Sequence, residues 1–230
     1  WKKFSRKSTI NKIAHNQWND LSSDLPIPGI RIAFSNMSCS IESHGDLSSL
    51  CDNVGLDSKK LVSINQVHSS KIISVKRAGH YESSDGIINI GGNLVCSIKV
   101  ADCLPIYFIN RISRTIGLVH AGWRGLSLGI INEYINNVKK NNERASDNYV
   151  FIGPSIKKCC FKIQSDVLSH FDSRFYSKIN DKHYQVDLQK WAVNQIMNLN
   201  IKNDKIFVID KCTYCNKDLY ESFRRDGDAA

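Results

Sequence analysis

The sequence predicts a mixed α/β fold of the α+β type, in which β-sheets pack in a sandwich with flanking helices. Short β-rich segments dominate the first two-thirds of the chain, and helical periodicity appears only afterwards. Strands that first cluster and then alternate with helices indicate mixed sheets rather than a regular parallel winding. No repeat or long linker divides the 230 residues, so we expect a single domain over 1–230.

The predicted strands are runs rich in β-branched and aromatic residues, bounded by turn-forming residues. The "IKV" and "GLV" runs are almost continuously apolar, which is typical of strands covered on both faces. In chain order the predicted strands are "IRIAFS" (30–35), "KLVSIN" (60–65), "KIISVK" (71–76), "NLVCSIKV" (93–100), "LPIYFI" (104–109), "TIGLVH" (115–120), "YVFIG" (149–153) and "KIFVID" (205–210).

Two later segments have the apolar spacing of amphipathic helices. In "GLSLGIINEYINNVKK" (125–140) the predicted apolar face consists of Leu128, Ile131, Tyr134, Ile135 and Val138. In "VDLQKWAVNQIMNLN" (186–200) Asp187 is the expected N-cap, and the apolar positions include Leu188, Trp191, Ile196 and Leu199.

Composition excludes several classes of protein. The chain is 42% hydrophobic and contains no apolar stretch long enough for a membrane helix. Its net charge of +9 favours an acidic or phosphorylated partner, but the lysines are scattered, so we expect no nucleic acid. The basic N-terminus lacks the apolar core of a signal peptide, and adjacent Cys159 and Cys160 argue against a disulfide framework. We therefore expect a reduced, cytoplasmic setting.

Three candidate metal ligands follow predicted strands. His68 closes "LVSINQVH", Cys103 follows "VCSIKVAD", and His120 closes "TIGLVH". Strands of one sheet that run in the same sense could bring these side chains together, and a His/Cys/His set with a fourth position open is typical of catalytic zinc. Their spacing matches no short ligand motif, so a packed cysteine and hydrogen-bonded histidines remain the alternative.

The segments around these candidates contain further groups suited to chemistry. In "HAGWRG", Arg124 stands where helical periodicity begins, and an arginine near a helix N-terminus can bind phosphate. A surface salt bridge is the alternative for Arg124, and core packing is the favoured interpretation of Trp123. Asp102 and Cys103 precede Pro105 and are the nominees for a catalytic proton-transfer group.

The remaining cysteines give weaker signals. "CTYC" (212–215) has the CxxC spacing of redox and zinc sites, but one isolated pair favours a buried, reduced pair of thiols. One of the adjacent Cys159 and Cys160 is expected to pack inward.

Six segments taken in order resemble the YfiH family, whose members carried the label of multicopper polyphenol oxidases or laccase-domain proteins. The resemblance extends from about residue 30 to the C-terminus. "HAGWRG" and the Asp-Cys-x-Pro element are its most specific parts. The others are "NQVHSSKI", "SSDGII", "IGPSIKKCCFKI" and "CTYCNKDLYESFRRDG".

The resemblance implies a zinc-dependent purine nucleoside phosphorylase with accompanying adenosine deaminase activity. It implies zinc ligands at His68, Cys103 and His120, with Arg124 facing the site. The expected partners are purine nucleosides and phosphate. The additional pocket or phosphate-binding candidates are Asn65, Gln66, Asp85, Arg224 and Arg225.

The chain departs from the family pattern in three places. Ser155 stands where the family usually has a cysteine, although Cys159 and Cys160 match the following cysteine pair. The region 30–50 looks shortened, and relatives usually continue beyond "RRDG". We therefore expect a truncated C-terminus, with the first 30 residues or so peripheral to the domain.

Two other functions fit parts of the sequence. A copper-dependent polyphenol oxidase could use the His₂Cys set, since copper outranks zinc in intrinsic affinity, but seven histidines without HxH pairs are few for several copper centres. A non-catalytic zinc- or nucleotide-binding module would bind ligand without turnover. The nucleobase deaminase pattern, His-x-Glu combined with Pro-Cys-x-x-Cys, is absent as a whole, so a deaminase activity would use other residues.

Overall fold

A seven-stranded mixed sheet forms the centre of the molecule in the computed structural model, which describes residues 2–3, 18–22, 26–39, 41 and 44–227. With strands numbered in chain order, its spatial order is β1 (Lys2–Lys3), β15 (Ile206–Val208), β11 (Asn148–Ile152), β9 (Leu104–Asn110), β10 (Ile116–Ala121), β7 (Gly86–Asn89) and β5 (Ile72–Val75). The pairs formed by β11, β9, β10 and β7 are antiparallel, whereas the pairs at both edges are parallel. The predicted mixed fold is confirmed.

Three smaller sheets surround the central one in the described part of the chain. The sheet that matters most for the site contains β6 (Gly79–Tyr81), β4 (Leu61–Ile64) and β8 (Val95–Cys96), in that order. The others are β12 (Lys162–Gln164), β14 (His183–Val186) and β13 (Tyr176–Lys178), and the hairpin of β2 (Trp18–Asp20) with β3 (Ala33–Ser35).

The central strand β9 shows why the main sheet is covered on both faces. Its side chains alternate, so Ile106 and Phe108 pack into the larger core with the helices, while Ile109 packs into a second cluster with Leu21 and Ile32 on the opposite face. Continuous apolarity in "LPIYFI" is therefore the consequence of burial on both sides.

The described part of the chain contains five α-helices. They are α1 (His44–Asn53), α2 (Trp123–Ser127), α3 (Ile130–Lys140), α4 (Leu188–Asn198) and α5 (Phe223–Asp226). Helix α3 packs against β5, β7, β10 and α4. Asp187 caps α4 as predicted, because its side chain accepts a hydrogen bond from the Lys190 backbone N–H.

The predicted buried face of the first helical segment is confirmed except at Leu128, which is 63% exposed. The segment is not one helix: Gly129 adopts a left-handed conformation with φ of 79° and separates α2 from α3. This break removes Leu128 from the helical periodicity of α3, so the prediction of a buried Leu128 is wrong.

The predicted strand at 93–100 is also wrong over most of its length, because β8 covers only Val95–Cys96. Residues 97–103 form no strand, and Cys103 immediately precedes β9 instead of ending the strand before it. This difference changes the explanation of how the candidate ligands meet.

Most of the expected peripheral N-terminal segment lies outside the described residues. Of that segment, Lys2 and Lys3 pair with Phe207 and Val208 at the edge of the main sheet. In the described ranges, no helix has both the length and the apolarity that a membrane crossing requires.

Gly117→Ala should destabilise the protein. A Cβ at Gly117 in β10 would lie 2.1 Å from Cε2 of Tyr134, whose ring is buried on α3 and stacked on Phe108 at 4.0 Å. Because neither ring can move freely, we expect the free energy of unfolding to fall by about 1–3 kcal/mol in a denaturant titration. Combining it with Tyr134→Leu should cost less than the sum of the two single changes. Strict additivity would contradict the proposed clash.

Candidate metal centre

His68, Cys103 and His120 converge at the junction of two sheets. Their ligand atoms all lie within 4.8 Å of one another, and the two imidazole rings are nearly perpendicular with centroids 4.9 Å apart. His120 is the penultimate residue of β10, Cys103 directly precedes β9, and His68 lies in the loop after β4 of the smaller sheet. The structure thus brings together the three residues predicted as ligands.

The reason they meet differs from the one expected. β9 and β10 run antiparallel, with His120 opposite Pro105, so the end of one strand lies beside the start of the other. His68 comes from a loop after β4, which belongs to a different sheet. Parallel strands of one sheet, which the sequence analysis expected, do not bring these residues together.

The backbone around the cluster is specialised. His68 and Asp102 have positive φ angles of 57° and 84°, a conformation that few non-glycine residues adopt. Gly122 is required for a close approach, because a Cβ there would lie 2.8 Å from Sγ of Cys103. The first glycine of "HAGWRG" therefore leaves space for the cysteine ligand.

Asp85 lies behind the two histidines and is completely buried. One carboxylate oxygen accepts from Nδ1 of His120 and from the backbone N–H of His68, both at 2.9 Å. The other accepts from the N–H and hydroxyl of Ser69, at 2.6 and 2.8 Å. Asp85 therefore holds the His68 loop and leaves Nε2 of His120 as the ring nitrogen available to an ion.

The shifted pKa values of these groups act on metal binding in opposite directions: the lowered pKa of Cys103 favours a bound cation, whereas the raised pKa of His120 means that a cation must displace a ring proton. Burial raises the pKa of the Cys103 thiol, but hydrogen bonds with His120 and His68 outweigh burial and lower it to about 7. Burial lowers the pKa of His120, whereas hydrogen bonds to Asp85 and Cys103 raise it to about 9. Burial also opposes ionisation of Asp85, yet hydrogen bonds from His120 and Ser69 lower its pKa to about 2. Thiolate character at Cys103 favours a divalent cation.

Two imidazoles and one thiolate suit a first-row transition metal with three protein ligands. The side chains differ in exposure: His120 is buried, Cys103 is partly buried and His68 is exposed. Because the His68 side faces solvent, a fourth coordination position there remains accessible to a small molecule. The donor set suits zinc and also copper.

All three ligands lie on the wall of a cavity of about 1300 Å³. This volume exceeds the roughly 300–1,000 Å³ of a typical small-molecule pocket, so the space can hold more than one substrate. Besides the ligands, the predicted residues that line it are Gln66, Asp102, Arg124 and Arg224.

Several known proteins resemble this chain in sequence. Residues 43–230 match the family described as multi-copper polyphenol oxidoreductase laccase. Among curated relatives, a purine nucleoside phosphorylase of Clostridium acetobutylicum is 32% identical over 171 residues, covering 73% of this chain and 72% of that protein. The purine nucleoside phosphorylase YfiH of Escherichia coli is 29% identical and covers 73% of this chain and 69% of that protein.

The chain belongs to the YfiH family. The crystal structure of YlmD from Geobacillus stearothermophilus has the same fold, with a TM-score of 0.84 over 94% of this chain and 93% of that one, at 22% identity. The resemblance inferred from "HAGWRG" and the accompanying motifs is thereby confirmed at the level of family and fold.

In this YfiH-family chain Arg124 lies exposed on α2 and lines the cavity. Its guanidinium stacks over the Trp123 ring at 4.5 Å, and no carboxylate pairs with it among the residues that the structure describes. Among the described residues, Arg124 therefore forms no surface salt bridge of the kind considered as its alternative role. Trp123 is half-buried and packs near Phe171, which confirms the packing role expected for it.

Asn65 and Gln66 occupy different positions in this family member. Nδ2 of Asn65 donates to Glu82 at the surface, away from the cavity lining. Gln66 lines the cavity and clamps the 97–100 segment, because its amide both donates to and accepts from the Lys99 backbone at 2.7 Å. Asp85, predicted as a pocket residue, lies behind the ligands.

Asp102 connects the cysteine ligand to the C-terminal segment. Its carboxylate oxygens accept from the Thr213 hydroxyl at 2.6 Å and from the Arg224 backbone N–H at 2.7 Å. The Arg224 guanidinium donates to the Lys162 carbonyl and lines the cavity. The Arg225 guanidinium points elsewhere: it donates to the carbonyls of Thr213, Tyr214 and Tyr220 and pairs with Asp226.

The sequence analysis missed a second cluster. Cys159 and Cys160 lie beside Cys212 and Cys215, with all four sulfur atoms within 4.8 Å of one another. Cys160 packs against the core, as expected for one member of the adjacent pair. The expected burial of the CxxC pair holds only for Cys212, because Cys215 is exposed. The signal in the sequence was the pair at 159–160, which supplies the partners that "CTYC" seemed to lack.

Asp85→Asn should weaken metal binding while the fold is retained. An amide has one acceptor oxygen in place of two, so it cannot satisfy both His120 and the backbone N–H groups of His68 and Ser69. We expect metal affinity to fall by about 10–100-fold in a chelator competition. Glu82→Gln, an exposed carboxylate-to-amide change, is the matched control. Equal affinity in the two variants would refute the positioning role of Asp85.

Proposed function

We propose that this protein is a zinc-dependent purine nucleoside phosphorylase. It would cleave adenosine and inosine, with S-methyl-5′-thioadenosine as a third candidate, using phosphate to give the free base and a ribose 1-phosphate. The observation that carries the proposal is the His68, Cys103 and His120 cluster, which lies in one cavity wall with the cationic Arg124. The names of its curated relatives support the same reaction.

Phosphorolysis forms a bond from a phosphate oxygen to C1′ of the ribose and breaks the bond from C1′ to the purine nitrogen. The electron pair goes to the base, which takes up a proton. Rate enhancement requires that phosphate be held beneath C1′ and that negative charge on the departing base be stabilised. Zinc held by the three ligands would supply Lewis acidity for this step and for the deamination of adenosine that we include in the proposal.

The chain itself provides the anion-binding groups. Arg124 offers a guanidinium without a carboxylate partner in the described part of the chain, and such a group binds phosphate in a bidentate manner. Arg224 lines the same cavity and is the second candidate, although its guanidinium already donates to the Lys162 carbonyl. Arg225 is occupied by three backbone carbonyls, so we assign it to holding the C-terminal segment.

The carboxylate of Asp102 is held in place by two hydrogen bonds. One oxygen accepts from the Thr213 hydroxyl and the other accepts from the backbone N–H of Arg224. These contacts tie the residue before Cys103 to the C-terminal segment. We therefore propose that Asp102 orients the Cys103 loop.

The family's description as a copper oxidoreductase favours one alternative, oxidation of phenols. The His₂Cys set suits copper, but the described residues hold a single cluster containing histidine. One centre falls short of the several that a multicopper oxidase uses. The oxidase and the non-catalytic module therefore serve as the competing outcomes of the assay.

The decisive experiment measures metal content and nucleoside turnover together. We expect base release from inosine and adenosine only when phosphate is present, with ribose 1-phosphate as the second product in chromatography. Cys103→Ala should empty this site and reduce turnover by more than the roughly 100-fold that loss of an outer partner costs. Cys51→Ala, which removes a buried thiol on α1, is the matched control. Phenol oxidation without nucleoside turnover would contradict the proposal, as would nucleoside binding alone.

Arg124→Ala should raise the KM for phosphate and leave the metal in place. Loss of a charge-assisted contact worth about 1.5–3 kcal/mol corresponds to a rise of roughly 10–150-fold. Arg111→Ala is the control, because Arg111 is an exposed arginine in the turn at the far end of the β9–β10 hairpin. If the two variants show the same phosphate dependence, Arg124 does not bind phosphate.

A further inference from the structure

Four cysteines outside the cavity form a second cluster with the geometry of a metal site. Cys159 and Cys160 come from the turn after β11, and Cys212 and Cys215 come from the turn after β15. The Cys215 sulfur lies 3.8 Å from that of Cys159 and 3.3 Å from that of Cys160. A tetrahedral zinc with bonds of about 2.3 Å to sulfur places its ligands about 3.8 Å apart, so these separations fit.

The separations do not fit disulfide bonds. A disulfide requires sulfur atoms about 2.05 Å apart, and all eight cysteines of the chain are free. Each thiol also has several neighbours at similar range, since all four sulfur atoms lie within 4.8 Å of one another. Three neighbours at comparable range around each thiol match a shared central ion better than a set of exclusive pairs.

The local backbone supports the same conclusion. The Lys157 N–H donates to the Cys212 sulfur at 3.5 Å, and such a bond stabilises a thiolate. Cys212 and Cys215 are held by a tight turn in which the Asn216 N–H bonds to the Cys212 carbonyl. Lys158 and Lys211 adjoin the cysteines in sequence and would offset part of the negative charge of a zinc ion with four thiolates, whereas the Lys157 ammonium pairs with Asp210.

We propose that Cys159, Cys160, Cys212 and Cys215 bind a second zinc ion, which cross-links the two turns. Four protein ligands complete a tetrahedral shell and leave no position for substrate, so this ion would be structural. Four sulfur ligands favour zinc over the hard cations magnesium and calcium. This cluster is separate from the His68, Cys103 and His120 cluster in ligands and in coordination.

The position of the quartet explains what the cross-link would stabilise. Thr213, between the two CxxC ligands, is buried and donates to Asp102, the residue before Cys103. The carbonyls of Thr213 and Tyr214 accept from Arg225, each at 3.0 Å. An ion in the quartet would therefore hold the turn that anchors both the Cys103 loop and the C-terminal arginines.

Metal analysis of matched variants tests this proposal. We expect about two zinc ions per chain in the unmodified protein and in Cys51→Ala, and about one in His68→Ala/Cys103→Ala, which retains the quartet. Cys159→Ser/Cys215→Ser should also hold about one, in the remaining His₂Cys site. Cobalt substitution in His68→Ala/Cys103→Ala should give the charge-transfer intensity of four thiolates.

Three results would overturn the proposal: no metal in His68→Ala/Cys103→Ala, cobalt intensity of fewer than four thiolates in that variant, or a disulfide at Cys215 in mass spectrometry of the protein as purified, before any metal is removed. If the double serine variant does not fold, Cys215→His in the His68→Ala/Cys103→Ala background serves instead: a Cys₃His set still binds zinc, so about one ion should remain and cobalt should give the charge-transfer intensity of three thiolates. In His68→Ala/Cys103→Ala a chelator should lower the melting temperature; an unchanged temperature counts against the cross-link. None of these measurements requires nucleoside turnover, so they stand apart from the proposed phosphorylase activity.

Discussion

A single buried carboxylate, that of Asp85, connects the loop that carries His68 to strand β10, which carries His120. It accepts hydrogen bonds from the His120 ring and from the backbone N–H groups of His68 and Ser69, so the His68 loop takes its conformation from a residue that directly precedes β7. A charge buried this completely is tolerated only because its oxygens are saturated with hydrogen bonds. The requirement to satisfy that charge makes the geometry of the ligands part of the folding of the domain.

Hydrogen bonds from distant segments also account for the unusual backbone at the site. His68 and Asp102 both adopt left-handed conformations, and each is held there by bonds from distant segments. For Asp102 these bonds come from Thr213 and Arg224, near the C-terminus. Strain of this kind persists where surrounding structure determines it, and it places the Cys103 sulfur against Gly122.

The two cysteine-containing clusters are connected through this network. Asp102 adjoins a ligand of the first cluster, and its partner Thr213 lies between ligands of the second. With the proposed metal ions bound, the open three-residue set would be the catalytic site and the closed four-residue set the structural one. The hydrogen bond from Thr213 to Asp102 links the two clusters. Through it, a cross-link in the cysteine quartet would help to keep Cys103 in position.

The sequence by itself determined the fold class and the amphipathic segments that form α3 and α4, because amphipathic periodicity is local. It also nominated His68, Cys103 and His120 as metal ligands, from their positions after predicted strands and from the family resemblance. It placed β9, β10 and β15 correctly to within about two residues at each end. It missed short strands such as β6 and β12, because three residues each are too few to show an alternating apolar pattern. Only the tertiary structure decided how distant segments meet. Strand direction in the β9–β10 pair placed Cys103 beside His120, and the neighbouring turns after β11 and β15 assembled the cysteine quartet. Side-chain spacing along a chain records local conformation, whereas pairing between strands depends on the burial of the whole sheet.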